Sequence, residues 1–157
     1  MLDPMGDFGG VVGSAAEITE YWRERGRRRR WHLVVRPQDD ADLSMAWHFV
    51  SQVVDCVVVV DEIDRYAGIH RMVPELSDLA HYGRHRAVSL VGTARRPANV
   101  NRDLTALADE LVCCRVTEPR DLAYLAQWMG TETAQRLASL PDLRYIRSGE
   151  SDLMRGI

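Results

Sequence analysis

Apolar and polar positions along the chain divide it into alternating strand and helix signals. Ile18, Tyr21 and Trp22 recur at i, i+3 and i+4 and predict a short amphipathic helix to about Arg25. Ser14 stands at its N-cap, Glu17 completes a capping box three residues later, and Gly26 is placed to end it. Trp31 to Val35 reads as a strand stopped by Pro37. Asp39 to Asp42 supply caps and negative charge for a helix with Leu43, Ala46, Trp47, Val50 and Val54 on one face. Cys56-Val-Val-Val-Val60 is apolar on both faces, as expected of a strand covered on both sides, and it ends abruptly in Asp61-Glu-Ile-Asp64. A helix over Val73 to Tyr82, with Leu76, Leu79 and Ala80 inward, leads to a strand over Ala87 to Thr93, with Pro97 beyond it. Asp103 to Ala108 reads as helix and Glu110 to Arg115 as strand. Pro119 opens a helix running to Met129, with Gly130 as its stop. Thr131 to Leu140 is a last helix, followed by a weak strand near Tyr145 and Ile146 and a polar tail.

Strands alternating with helices of this length point to βαβ units, a mostly parallel sheet and right-handed crossovers. The expected organisation is one α/β domain over residues 1–147 and a tail over 148–157. A length of 157 residues, 46% apolar and 27% charged, fits a single globular domain. The net charge of −3 points to neither nucleic acid nor membrane. The longest strictly apolar run, Cys56 to Val60, is far below the roughly 20 residues a membrane helix needs, and no secretory apolar segment follows Met1. Three cysteines, two of them adjacent, make no disulfide framework and point to a reducing cytosol. All 20 basic residues are arginine, which forbids any mechanism that needs a lysine amine from this chain. Arg27 to Arg30 read as a solvated basic turn or as a nucleic-acid contact.

In open parallel sheets ligands bind beyond the carboxyl ends of the strands. The residues expected there are Asp61 and Glu62 after one strand, and Thr93, Arg95 and Arg96 after the next. Four apolar residues followed by Asp-Glu resemble the Walker B pattern of P-loop ATPases. An acidic pair after a buried strand also serves structure alone. Three further segments carry a more specific likeness: Gly83-Arg-His-Arg-Ala-Val-Ser-Leu-Val-Gly-Thr-Ala-Arg-Arg-Pro97, Asn101-Arg-Asp-Leu-Thr-Ala-Leu-Ala-Asp109 and Arg115-Val-Thr-Glu-Pro-Arg-Asp-Leu122. In that order they resemble the FtsK/HerA-type branch of P-loop ATPases, and most of all its phage and prophage ATP-binding members, including zonula-occludens-toxin-like proteins. Leu2-Asp-Pro-Met-Gly-Asp-Phe8 resembles the family's segment after the P-loop helix. The likeness spans roughly residues 1 to 130.

The resemblance implies a three-layer P-loop NTPase-like fold of the RecA/ASCE type, with helices on both faces of the sheet. It makes Asp61 the magnesium residue, Glu62 the catalytic base and Thr93 the sensor residue. Arg95 stands where many relatives have glutamine. Arg95 or Arg96 would contact the γ-phosphate or serve a neighbouring subunit as an arginine finger. The alternative for both is a surface turn paired with nearby acids. His85 reads as a packing or hydrogen-bonding residue, and Asp3 as either near the nucleotide or exposed. The implied cofactors are ATP and Mg²⁺. The implied partners are further copies in a ring, DNA, and phage or mobile-element proteins, in the cytoplasm or associated with a virion.

One part of the pattern is missing. A P-loop requires G-x-x-x-x-G-K-[ST], whose amides and lysine hold the phosphates. The cluster of Gly6, Gly9, Gly10 and Gly13 does not supply it, because no lysine exists and Ser14 follows Gly13 directly. In the resembled family the P-loop strand lies between the sensor strand and the strand matched by Glu110 to Arg115. Its absence leaves three expectations: the true start lies upstream, those two strands pair directly, or a partner chain fills the gap. The leading expectation is thus the Walker B half of an ATPase whose complete form hydrolyses ATP, with little activity in this chain alone. The alternatives are a non-catalytic binding or assembly module that keeps the fold, and a DNA-contacting subunit using Arg27 to Arg30.

Overall fold

The computed structural model describes residues 11–12, 14–25, 32–148 and 154–155. The strand Val11–Val12 (β1) leads into helix Ala15–Arg25 (α1). The capping box forms as expected, with the Glu17 amide donating to Ser14 Oγ at 3.2 Å and the Ser14 amide donating to Glu17 Oε2 at 2.8 Å. Strand Val34–Val35 (β2) pairs in parallel with β1. Helix Asp40–Gln52 (α2) starts at the Asp39 cap, whose carboxylate accepts from the Asp42 amide. Asp42, itself buried, accepts from the Ala15 amide at 2.7 Å. A helix-starting acid of α2 thereby neutralises the positive end of α1 and ties the two helices together.

Strand Cys56–Val60 (β3) runs into the turn Ile63–Arg65, and a small hairpin, Ala67–Gly68 (β4) and Arg71–Met72 (β5), follows. Helix Pro74–Tyr82 (α3) carries buried Leu76 and Leu79 back to strand Val88–Gly92 (β6). β6 pairs in parallel with β3, Cys56 opposite Val88 through Val60 opposite Gly92. Between α3 and β6, Gly83 is buried where an added Cβ would lie 3.1 Å from the Val88 carbonyl oxygen, so a side chain there would have to push that backbone back by a few tenths of an ångström. Arg86 donates to the Ser51 and Val53 carbonyls and so caps the C-terminal end of α2. His85, expected to pack or to hydrogen-bond, is exposed, so it is not a packing residue.

Helix Arg102–Leu107 (α4) leads to strand Val112–Cys113 (β7). Helices Pro119–Met129 (α5) and Thr131–Ala138 (α6) pack on each other around Gly130, whose φ of +85° suits glycine. Strands Arg144–Arg147 (β8) and Met154–Arg155 (β9) complete the chain. Two apolar cores result. The first gathers Ile18, Trp47, Val58, Val60, Leu76 and Leu79 from α1, α2, β3 and α3. The second gathers Cys113, Tyr124, Leu125, Leu137 and Ile146 from β7, α5, α6 and β8. No helix of the described residues is long and apolar enough to cross a membrane.

The α/β architecture with parallel β3–β6 pairing is the expected one. Three local expectations need correction. The valine strand is covered on one face only: Val58 and Val60 are buried, whereas Val57 is 60% exposed and Val91, opposite Val59, is 48% exposed. Burial of alternate residues follows from the two-residue period of a strand. Val54 is exposed because α2 stops at Gln52 and Val53 turns to extended backbone. The Glu110–Arg115 segment keeps only two strand residues, and these pair antiparallel with β8, which pairs in turn with β9. β6 and β7 therefore do not pair directly among the described residues.

Burial pushes the Cys113 thiol up to about 11, while Cys114 faces solvent. A thiol pKa raised on folding contributes stability that is present below the usual value near 8.5 and is lost as pH rises through the folded value. Stability should therefore fall between about pH 8.5 and 11. A thiol-specific reagent at pH 8 should modify Cys114 and leave Cys113 untouched until urea unfolds the chain. Equal labelling of both in the folded protein would contradict this burial.

Candidate functional site

The site is built at the carboxyl ends of two adjacent parallel strands. Val60, fully buried, ends β3, and the next two residues are Asp61 and Glu62. Thr93 follows β6 directly and binds this turn four times. Its amide donates to the Val60 carbonyl at 3.1 Å, and its carbonyl accepts from the Ile63 amide at 2.8 Å. Its hydroxyl accepts from the Glu62 amide at 3.1 Å and donates to Asp61 Oδ1. The parallel register fixes which residues meet here, because Val60 faces Gly92 and the next residues of both strands must then converge.

The backbone bends sharply at this point. Glu62 has φ +49° and ψ +51°, a left-handed conformation that a residue with a Cβ adopts only where its surroundings hold it. The bonds to Thr93 hold it. Ile63 then packs beneath Gly92 so closely that a Cβ there would lie 2.6 Å from Ile63 Cδ1 and 3.3 Å from its Cβ. Glycine ends β6 because the turn carrying Glu62 occupies the space a side chain would need.

The Glu62 carboxylate is almost buried, with its side chain 8% exposed. Arg95 Nη2 stands 2.7 Å from its Oε1 and Arg65 Nε 3.2 Å from its Oε2. The Arg65 contact is an ion pair without hydrogen-bond geometry, so Oε2 has no hydrogen-bond partner among the described residues. Tyr66 lies just beyond. Burial pushes its phenol up, and the Glu62 and Asp61 carboxylates add to this against the opposing pull of Arg65.

Arg96 takes a different course from Arg95. Its Nε donates to Asp121 Oδ2 at 2.7 Å and its Nη2 lies 3.2 Å from Glu118 Oε2. Asp121 is buried in the first turn of α5 and also accepts from the Ala98 amide at 2.9 Å. Arg96 thus ties the turn after β6 to α5, and it points its charge at acids instead of the rim. The sequence alone does not decide which of Arg95 and Arg96 faces the rim, nor does it set Asp121 apart from other helix-end acids. The available signal was an acid three residues after Glu118, in the first turn behind Pro119, where it reads as favourable helix-end charge.

Asp61, Glu62, Thr93 and Arg95 are therefore brought together, and Arg96 is drawn away. Asp3, the glycines at 6, 9, 10 and 13, and Arg27 to Arg30 lie outside the described residues. The donor set fits Mg²⁺. Asp61 is a half-buried hard carboxylate beside the Thr93 hydroxyl, and Mg²⁺ is ordinarily held by one or two carboxylates plus water and phosphate oxygens. No cluster of three or more His, Cys, Asp or Glu that would enclose a metal alone is present among the described residues.

Solved structures share this fold. The genome packaging NTPase B204 from Sulfolobus turreted icosahedral virus 2, in complex with AMPPCP, superposes with a TM-score of 0.76 at 18% identity, covering 99% of this chain and 81% of that one. Its complex with ATP-gammaS gives 0.74 at 17% identity, covering 96% and 74%. B204 described as the DNA-packaging ATPase from Sulfolobus turreted icosahedral virus gives 0.67 at 18% identity, covering 80% and 67%. No protein-family model and no curated protein sequence matches the chain. At 17–18% identity the likeness shows the fold, so the chain shares the α/β fold of these packaging NTPases, the class of fold that its motifs lead one to expect.

Proposed function

We propose that this chain forms the carboxylate-and-sensor part of an Mg²⁺-dependent ATPase site of FtsK/HerA type, in a protein that acts on DNA in packaging or transfer. The observation that carries this reading is the locking of Asp61 and Glu62 to Thr93 at the shared end of two parallel strands. Asp61 with Thr93 would hold Mg²⁺, which supplies charge neutralisation at the phosphates. Glu62 would accept the proton of an attacking water, and Arg95 would face the γ-phosphate. Arg96 suits fixing the turn better than reaching a phosphate, because Asp121 and Glu118 already hold its charge.

The similarity to a genome packaging NTPase solved in complex with ATP-gammaS and with AMPPCP supports nucleotide and DNA as ligand classes. Assembly as a ring, phage or mobile-element partners, and a cytoplasmic or virion-associated location belong to the same proposal. The phosphate cradle must come from outside the residues considered, since the chain has no lysine.

The test is ATP turnover with Mg²⁺. The 157-residue chain should hydrolyse at background rate. A chain extended upstream through a G-x-x-x-x-G-K-[ST] segment should turn over ATP, and Glu62→Gln in it should lose about 10²–10⁴-fold in rate while still binding ATP, the usual weight of a general base. Turnover by the short chain, or survival of turnover in the extended Glu62→Gln chain, would overturn the assignment.

A second reading has its own support. Glu62 is ion-paired to two arginines here, which suits a non-catalytic assembly module that keeps the fold. It requires an in-frame stop codon in place of an upstream phosphate cradle.

A further inference from the structure

The clamp on Glu62 is not explained by the fold. A carboxylate that is 8% exposed meets guanidinium groups whose own side chains are 72% exposed at Arg95 and 48% exposed at Arg65. A sequestered anion is thus held by cations that reach in from solvent. Neither arginine anchors an element in the way that Arg86 caps α2 or Arg96 fastens α5. Two guanidinium groups converging on one oxyanion form the arrangement that suits a phosphoryl group as well as a carboxylate. Glu62 Oε2, buried and without a hydrogen-bond partner among the described residues, shows that the two guanidinium groups leave the carboxylate incompletely satisfied, so the pairing is not a closed bidentate one.

We infer that Arg65 and Arg95 form an oxyanion site whose occupant here is the carboxylate of Glu62, and that a phosphoryl oxyanion draws Arg95 away from it. The inference rests on the reading of Glu62 as the proton acceptor and deepens it. A carboxylate paired at 2.7 Å with Arg95 has a guanidinium N–H seated on its Oε1, so a water that is to give its proton to that oxygen competes with Arg95 for it. Arrival of the phosphoryl group releases that oxygen at the moment a base is needed. Arg95 is the residue that moves, because it lies on the exposed turn after Thr93, whereas Arg65 belongs to the same short turn as Glu62 and stays with it. Glu62 itself stays in place, since its amide is held by Thr93 and Ile63 is wedged under Gly92. Arg95 thus contacts the phosphoryl group and, by leaving Glu62, frees its Oε1.

The experiment is a double-mutant cycle of Arg95→Gln and Glu62→Gln in the 157-residue chain, read by urea unfolding at fixed pH. It is run once in sodium chloride and once in sodium tripolyphosphate of matched ionic strength. The coupling should be about fivefold in the unfolding constant in chloride, within the usual range for contacting residues, and should approach one in tripolyphosphate. The Arg96–Asp121 pair, measured by its own cycle, should keep its coupling in both salts, because Arg96 is held by two acids at once and Asp121 is buried and also tied to the Ala98 amide. In the wild-type chain the Arg95 Nε–H resonance should shift on adding tripolyphosphate, which needs no variant to fold. Equal Arg95–Glu62 coupling in the two salts, or a stationary Arg95 resonance, overturns the inference. Loss of both couplings together also overturns it, since that is general screening. Turnover plays no part in this measurement, so its failure is separable from failure of Glu62 as base, which is read only in the extended chain.

Discussion

Replacing Asp121 with alanine is expected to destabilise the protein by about 3–4 kcal/mol, the range for removing one partner of a buried, hydrogen-bonded charge. Asp121 is 1% exposed, and its two oxygens serve the Arg96 guanidinium and the Ala98 amide. Alanine leaves the buried Ala98 amide without an acceptor, and Ala98 belongs to the second core. Arg96 suffers less, because its side chain is 46% exposed and water replaces part of the lost pairing. The consequence for the site is indirect but large. The turn from Thr93 to Pro97 hangs between β6 and α5, and Asp121 is its fastening at the α5 end. Urea unfolding of the purified variant measures the effect. A loss under about 1 kcal/mol, the size of an exposed pair, would mean that the turn is held by β6 alone.

Trp47→Ala is expected to cost a similar amount, about 4 kcal/mol, the usual range for truncating a large buried aromatic ring. Trp47 is 3% exposed in the first core and meets the Tyr66 ring edge-on at a centroid distance of 5.2 Å. Tyr66 directly follows the turn that carries Glu62, Ile63 and Arg65, so the indole is the floor under the candidate site. Its Nε1 has no hydrogen-bond partner among the described residues, and phenylalanine there gives up ring volume without giving up one of the described bonds. Trp47→Phe should therefore cost clearly less than Trp47→Ala, because the cavity it leaves is smaller. Urea midpoints for the two variants give the comparison. Equal losses for alanine and phenylalanine would show that cavity size does not set the cost.

Local chemistry was legible wherever neighbours in sequence decided it. The capping box of Ser14 and Glu17, the Asp39 cap, and the Gly130 stop are each interactions within four residues, and each forms as read. The valine run became a strand because β-branched residues and an abrupt acidic end leave few alternatives. Thr93 could be set beside Asp61 and Glu62 from sequence because parallel neighbours deliver their carboxyl ends to one edge.

What failed to show in sequence was partner choice. Arg95 and Arg96 are adjacent and chemically identical, yet one lies on Glu62 and the other on Asp121 and Glu118. Consecutive side chains leave an extended turn in different directions, and only the placement of α5 decides which acid each one meets. The expected coverage of both faces of β3 failed for the same reason, since an apolar run records tolerance of burial and not the presence of a covering helix.

Sequence by itself determined the alternation of elements, the α/β class, and the presence of two acids at a strand end, because these follow from period, capping and β-branching within a few residues. Tertiary structure alone decided that Glu62 is buried in a left-handed turn under two arginines, that Asp121 fastens the neighbouring turn, and that β7 turns antiparallel to β8. Those outcomes join residues up to 37 positions apart, as Leu111 and Ser148 are, and the free energy of such contacts resides in packing and desolvation that no local pattern encodes.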